Sequence, residues 1–138
     1  MQMEYTRDHQ IQSRLEHIID RLGLRWLEKS RIVAIRSRGS CSRRTLARVH
    51  TISKVVQTGL GMQAHYFIEI ISENFDRLSE EEKTKTLIHE LMHIPKTMGG
   101  GFRHHRPYVT RKAVEKMYER YKSPGIGWFQ TLSGGHEF

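Results

Sequence analysis

The residues of this chain best suited to chemistry lie in one short run, Lys83 to Pro95, which reads KTKTLIHELMHIP and contains His89, Glu90 and His93. Residues four apart on an α-helix share a face one turn apart. Two imidazoles so placed can bind one tetrahedral zinc ion, with the glutamate between them positioned to move a proton. Two histidines leave a catalytic site short of one protein ligand, so a third is expected, with the fourth position open to water. Downstream, after Gly99, Gly100 and Gly101, stand His104 and His105. Glycines permit a sharp turn and close backbone approach, so the chain can double back to deliver either histidine.

The elements needed to position these groups are legible nearby. Ser79 with Glu80, Glu81 and Glu82 makes an S-x-x-E capping box with acidic residues in the positively polarised first turn. Pro95 disfavours the α conformation at Ile94, so the helix is expected to stop one residue after His93. On a helical wheel Thr84, Leu87, Ile88, Leu91, Met92 and Ile94 form an apolar arc, leaving Thr86, His89, Glu90 and His93 as a cleft-facing stripe. A last helix is expected from Pro107, a residue suited to a first turn, with Val109, Ala113, Val114, Met117, Tyr118 and Tyr121 as its apolar positions. Extending that helix backwards puts His105 on the inward face and favours it over His104. Glu115 and Glu119 are the carboxylate alternatives, and Glu115 has solvent-type neighbours. His136, near a Gly-Gly pair at the tail end, is expected to be disordered.

Upstream, Ile11, Leu15, Ile18, Ile19 and Leu22 recur at helical spacing between an N-cap candidate, Asp8, and a C-terminal stop, Gly23, with Trp26 and Leu27 packing just beyond. Arg31–Arg38 reads as a strand and Gly39–Arg44 as a basic loop. Leu46–Val56 alternates and reads as a strand or bent strand, in which His50 is a sheet-surface residue. Gln57–Ala64 reads as a turn-rich connection, and His65–Ile71 as a strand buried on at least one face. The expected order is helix, two or three strands, helix, glycine turn and helix. This is an α+β domain with a small mixed sheet of about three strands.

Composition sets the outer bounds. One hundred and thirty-eight residues, with 37% hydrophobic and 28% charged, suit a single globular domain, residues 1–138, with 121–138 expected as a loosely ordered tail. No apolar run is long enough to span a bilayer, and the N-terminus lacks the apolar segment of a secretory signal. Cys41 is the only cysteine, so no intrachain disulfide forms and a thiolate-rich metal site is excluded. A cytoplasmic protein without membrane partners is the resulting expectation. The net charge of +8 can attract nucleic acid or acidic protein surfaces, although no nucleic-acid-binding motif accompanies it.

The run LIHELMHIPKTMGGGFRHHRP resembles the minimal zinc metallopeptidases of archaea and phages, small zincins related in outline to SprT-like proteases. The resemblance extends upstream through HYFIEIISENFDRLSEEEKTKT and less firmly to ARVHTISKVV, so it spans roughly Leu46 to Tyr121. It implies one zinc ion held by His89, His93 and His105, with Glu90 as general base to a zinc-activated water that hydrolyses peptide bonds. It also implies that the strand beside the active helix lines the substrate cleft, which draws attention to Glu69. Arg103 and Tyr108 are candidate donors to the oxyanion. The chain departs from SprT-like proteins in having no zinc ribbon, and from metzincins in having no clear Met-turn, since Met117 falls within a helix. Other readings are a zinc-dependent ribonuclease or other hydrolase using the same histidines, or a non-catalytic binding module stiffened by zinc.

Overall fold

The computed structural model describes residues 2–123. In chain order the elements are β1 (Glu4–Arg7), α1 (His9–Leu22), a 3₁₀ turn (Lys29–Arg31), β2 (Ile32–Arg38), β3 (Ala47–Thr51), α2 (Lys54–Leu60), β4 (Tyr66–Ile71), α3 (Ser72–Phe75), α4 (Glu80–Met92) and α5 (Arg111–Lys122). The strands form one mixed sheet in the order β1-β2-β4-β3. β2 and β4 run parallel, whereas β1 and β3 are antiparallel edge strands. The architecture is the expected α+β fold with a small mixed sheet, but the sheet has four strands and not three.

Helix α1 forms where the heptad-like apolar spacing demands it. Asp8 caps it by accepting the Ile11 N–H at 2.8 Å, and Gly23 ends it in the left-handed region at φ 63°. Its residues Ile11, Leu15, Ile18, Ile19 and Leu22 are all buried. They pack with Tyr66, Ile68 and Ile70 of β4 and with Leu87, Ile88 and Leu91 of α4 in one core. β4 lies between two partners, which explains its nearly continuous apolar sequence YFIEII. Leu27 is buried and Trp26 packs on the core margin, as expected from the sequence.

Four local readings are corrected. β1, four exposed residues paired with β2, has no apolar alternation to betray it. The strand read over Leu46–Val56 ends at Thr51, and α2 follows, taking in the first residues of the supposed turn at 57–64. Ser53 and Gly61 cap α2 at its two ends, but none of its residues is buried, so no apolar stripe marks it. The last helix does not start at Pro107. Residues 105–108 form a turn, and α5 begins only after Thr110, whose hydroxyl accepts the Ala113 N–H at 3.1 Å. Tyr121 and Lys122 lie within α5 and not in a tail, while the remainder of that stretch, including His136, falls outside the described residues. No helix among the described residues is long and apolar enough to cross a membrane.

Candidate metal centre

Helix α4 carries the first two histidines. Ser79 caps it by accepting the Glu82 N–H at 3.1 Å, and three glutamates occupy its first turn. Leu87, Ile88 and Leu91 are driven into the core, which leaves His89 and His93 partly buried on the far side. The helix ends at Met92, one residue before His93, with the second histidine as its C-cap. Its last turn tightens there, with His93 N–H to the Glu90 carbonyl and Ile94 N–H to the Leu91 carbonyl, both at 3.1 Å.

The segment from Pro95 to Arg103 is held by contacts from four elements. The buried Arg31 donates to the Met98 carbonyl at 2.6 Å and to the Ala64 carbonyl at 2.8 Å. The Tyr66 hydroxyl, at the start of β4, accepts the Gly100 N–H at 2.9 Å and donates to the Gly101 carbonyl at 2.8 Å. Gln57 of α2 donates to the Gly99 carbonyl at 3.4 Å. Gly100 sits at φ 112°, a conformation that L side chains avoid. Last, Arg103 N–H donates to the His93 carbonyl at 2.7 Å, and His93 Nδ1 lies 2.7 Å from the Arg103 carbonyl. A carbonyl only accepts, so Nδ1 carries the proton and the Nε2 lone pair of His93 is left free for a ligand.

This loop returns the chain so that His105 faces the helix pair. Metal-binding atoms of His89, His93 and His105 lie within 4.8 Å of one another. The ring centroids are 5.0 Å apart for His89 and His93, 5.3 Å for His89 and His105, and 4.6 Å for His93 and His105. His104 lines the same cleft but is outside the cluster. Helical phase does not place His105, because residues 104 and 105 are not helical; the pinned loop brings His105 in. Glu115 is engaged elsewhere, 2.8 Å from Lys85 Nζ across the α4–α5 contact.

The electrostatics suit a cation. Burial, reinforced by the neighbouring His93 and His105, holds the His89 imidazole down at about 4, and burial likewise lowers His93. Both rings are therefore neutral over the physiological range, the form that binds a metal. Three imidazoles converging in this way make a nitrogen donor set of the kind that borderline metals such as zinc accept. Glu90 is 8% exposed, and burial pushes its carboxyl up to about 8.

Two lobes of a cleft meet at this point, and both are lined by Ala47, His89 and Glu90. One, of about 460 Å³, also takes in Arg48, Val49, His93, Phe102, Arg103, His104 and His105. The other, of about 370 Å³, takes in Thr45, Leu46, Lys85, Thr86, Arg111 and Val114. Both volumes are in the range of small-ligand sites. The edge strand β3, and not the central β4, borders the cleft. Glu69 alternates onto the opposite sheet face, where His50 Nε2 lies 2.8 Å and Arg48 Nε 3.7 Å from its carboxylate. Tyr108 does not line either lobe as a free donor; its ring lies under the Arg103 guanidinium, 4.6 Å from centroid to Cζ. The contributions of Arg31, Tyr66 and Gln57 had no signal in the sequence, because each acts on backbone groups far along the chain.

No curated protein and no solved structure matches the chain. A family model does match, over residues 3–122, a span that takes in the sheet, the α4 histidine pair, the pinned loop and α5. The chain belongs to the family described as "Putative phage metallopeptidase".

Proposed function

We propose that the protein is a zinc-dependent peptidase in which His89, His93 and His105 hold the metal and Glu90 is the general base. The convergence of three imidazole donors within 4.8 Å, directly beside a glutamate that lines both lobes of one cleft, carries this reading. The metallopeptidase family assignment supports it.

A bound zinc ion supplies Lewis acidity, which acidifies water towards a pKa of ~7 and polarises an acyl oxygen. The protein supplies the rest. The Arg103 carbonyl fixes the His93 tautomer and ring orientation. Glu90, placed where the two lobes join, would be ionised by the charge of a bound cation, which opposes the effect of burial, and so receives the proton of the attacking water and delivers it to the departing amine. The two lobes accommodate the peptide on either side of the bond to be broken. Ala47 and Val49 of β3 form the wall opposite α4.

The test is elemental analysis together with peptide hydrolysis. About one zinc per chain, with Glu90→Gln keeping the metal and losing turnover, is the expected result. Peptide hydrolysis retained in metal-loaded Glu90→Gln would sink the assignment of the base. Failure of the wild type to take up zinc after reloading would sink the metal centre itself.

A further inference from the structure

We propose that the lobe beside the third histidine selects substrates with an acidic residue next to the scissile bond, and that Arg103 is the side chain that reads it. This rests on the peptidase reading above and adds to it a substrate class and a specificity residue.

The charge of the lobe is one-sided. Its arginines are Arg48 and Arg103, and its only carboxylate is that of Glu90. Arg48 already has a counter-ion, Glu69, at 3.7 Å on the other face of the sheet. Arg103 has none: among the described residues its side chain meets no carboxylate and donates no hydrogen bond. The opposite lobe lacks this bias, because Lys85 is matched by Glu115 at 2.8 Å and Glu82 stands in the same lining as Arg111.

Arg103 is also held at both ends. Its main chain makes the two 2.7 Å bonds with His93. Its guanidinium lies over the Tyr108 ring, 4.6 Å from the centroid. A cation–π contact spends none of the guanidinium's N–H donors on a hydrogen bond, so the five stay available in the fork geometry that matches a carboxylate. Much of the entropy cost of fixing a long side chain has thus been met before a substrate arrives. A partly buried cation with its donors unspent, in the same lobe as a candidate reaction centre, is better matched by a ligand carboxylate than by solvent.

The experiment compares pairs of peptides identical except for Glu or Gln on one side of the cleaved bond, with zinc-loaded protein. Wild type is expected to favour the Glu peptide in kcat/KM by about ten- to a hundredfold, the range of a charge-assisted hydrogen bond, with the preference falling as salt rises. Arg103→Gln is expected to lose the preference, and Arg103→Glu to turn it towards Lys peptides. Equal cleavage of Glu and Gln peptides by wild type overturns the proposal. So does a uniform loss of kcat on every peptide in Arg103→Gln, which would mark an oxyanion or structural role.

If no peptide is cleaved, anisotropy titration of the same labelled peptides on zinc-loaded Glu90→Gln separates the two readings. Tighter binding of the Glu peptide, lost in Arg103→Gln, supports the charge selection while the peptidase reading falls; equal or absent binding overturns it. Arg103-dependent binding of a single-stranded oligonucleotide in preference to the acidic peptide also overturns it.

Discussion

His93 and Arg103 are joined twice, each through a 2.7 Å bond: the Arg103 N–H reaches the His93 carbonyl, and the His93 Nδ1–H reaches the Arg103 carbonyl. One residue thus closes the end of α4 and fixes the face its own imidazole presents. The other, two positions before His105, fixes where the third histidine arrives. The second and third histidines of the cluster are set by the same pair of hydrogen bonds.

Tyr66 is the next link in that chain of support. Its buried hydroxyl serves both the Gly100 N–H and the Gly101 carbonyl. In Tyr66→Phe these two backbone groups lose their partner while the ring stays packed. Zinc affinity is expected to fall roughly tenfold and stability by about 1–2 kcal/mol, measured by chelator competition and denaturant unfolding. Unaltered affinity in a variant of lowered stability would separate the tyrosine from the metal site.

The three glycines of the turn are not equivalent. At Gly100 an added Cβ meets Gln57 Nε2 at 2.8 Å and the backbone is at φ 112°, whereas at Gly101 nothing lies within 4 Å. Gly100→Ala is expected to cost about 1–3 kcal/mol and to weaken metal binding. Gly101→Ala is expected to remain within about 0.5 kcal/mol of wild type. Thermal or denaturant melts of the two variants, with metal titrations, give the comparison.

Metal content distinguishes the candidate ligands. His105→Ala is expected to lose zinc on purification without added metal, and His104→Ala to keep it. Glu115→Gln should also keep its zinc, since the Glu115 carboxylate is 2.8 Å from Lys85. Its stability should change by less than about 1 kcal/mol, because Glu115 is half-exposed. Zinc lost from Glu115→Gln alone would move the third ligand to α5.

Asp8 gives a pH-dependent check on the scaffold. Burial raises its carboxyl, but the Ile11 N–H and the Arg36 guanidinium together outweigh burial and hold it below the ordinary value of 3.8. A lowered folded value means stability that is present above the unfolded pKa and lost as pH falls through the folded one. Asp8→Asn keeps a capping side chain but loses the charged partner 2.8 Å from Arg36 Nε. It should cost about 2 kcal/mol near neutral pH, and the gap to wild type should close as pH drops below about 4. Unfolding curves from pH 7 to pH 3 test this.

Local signals that coincided with burial were the ones the sequence displayed. α1 and α4 have caps at both ends or at the start, and apolar residues on one side, so their spans were legible to within two residues. α2 has caps as clear as those of α1, yet Val55 is 81% exposed and Leu60 63% exposed, so it lacked the stripe that reveals a helix. The histidine pair followed from its spacing together with its place on a capped amphipathic helix. His105 was picked out through a helix that does not extend that far; its position depends on Arg31, Tyr66 and the His93–Arg103 pair, contacts spanning 10 to 67 residues that no local pattern encodes. The edge position of β3, and with it the wall of the cleft, is a property of strand order and had no local trace.

The contacts that hold the 95–103 loop are all between protein groups: a guanidinium, a phenol, an amide side chain and an imidazole, each on backbone atoms. The entropy of closing that loop is therefore spent when the polypeptide folds and not when an ion arrives. The loop is therefore expected not to need a cation as its scaffold, unlike small domains that fold only around their metal. Stripped by a chelator, the protein is expected to keep its architecture as a vacant receptacle, so that loading and unloading become a reversible titration on a folded background, in which the ion adds stability by mass action alone.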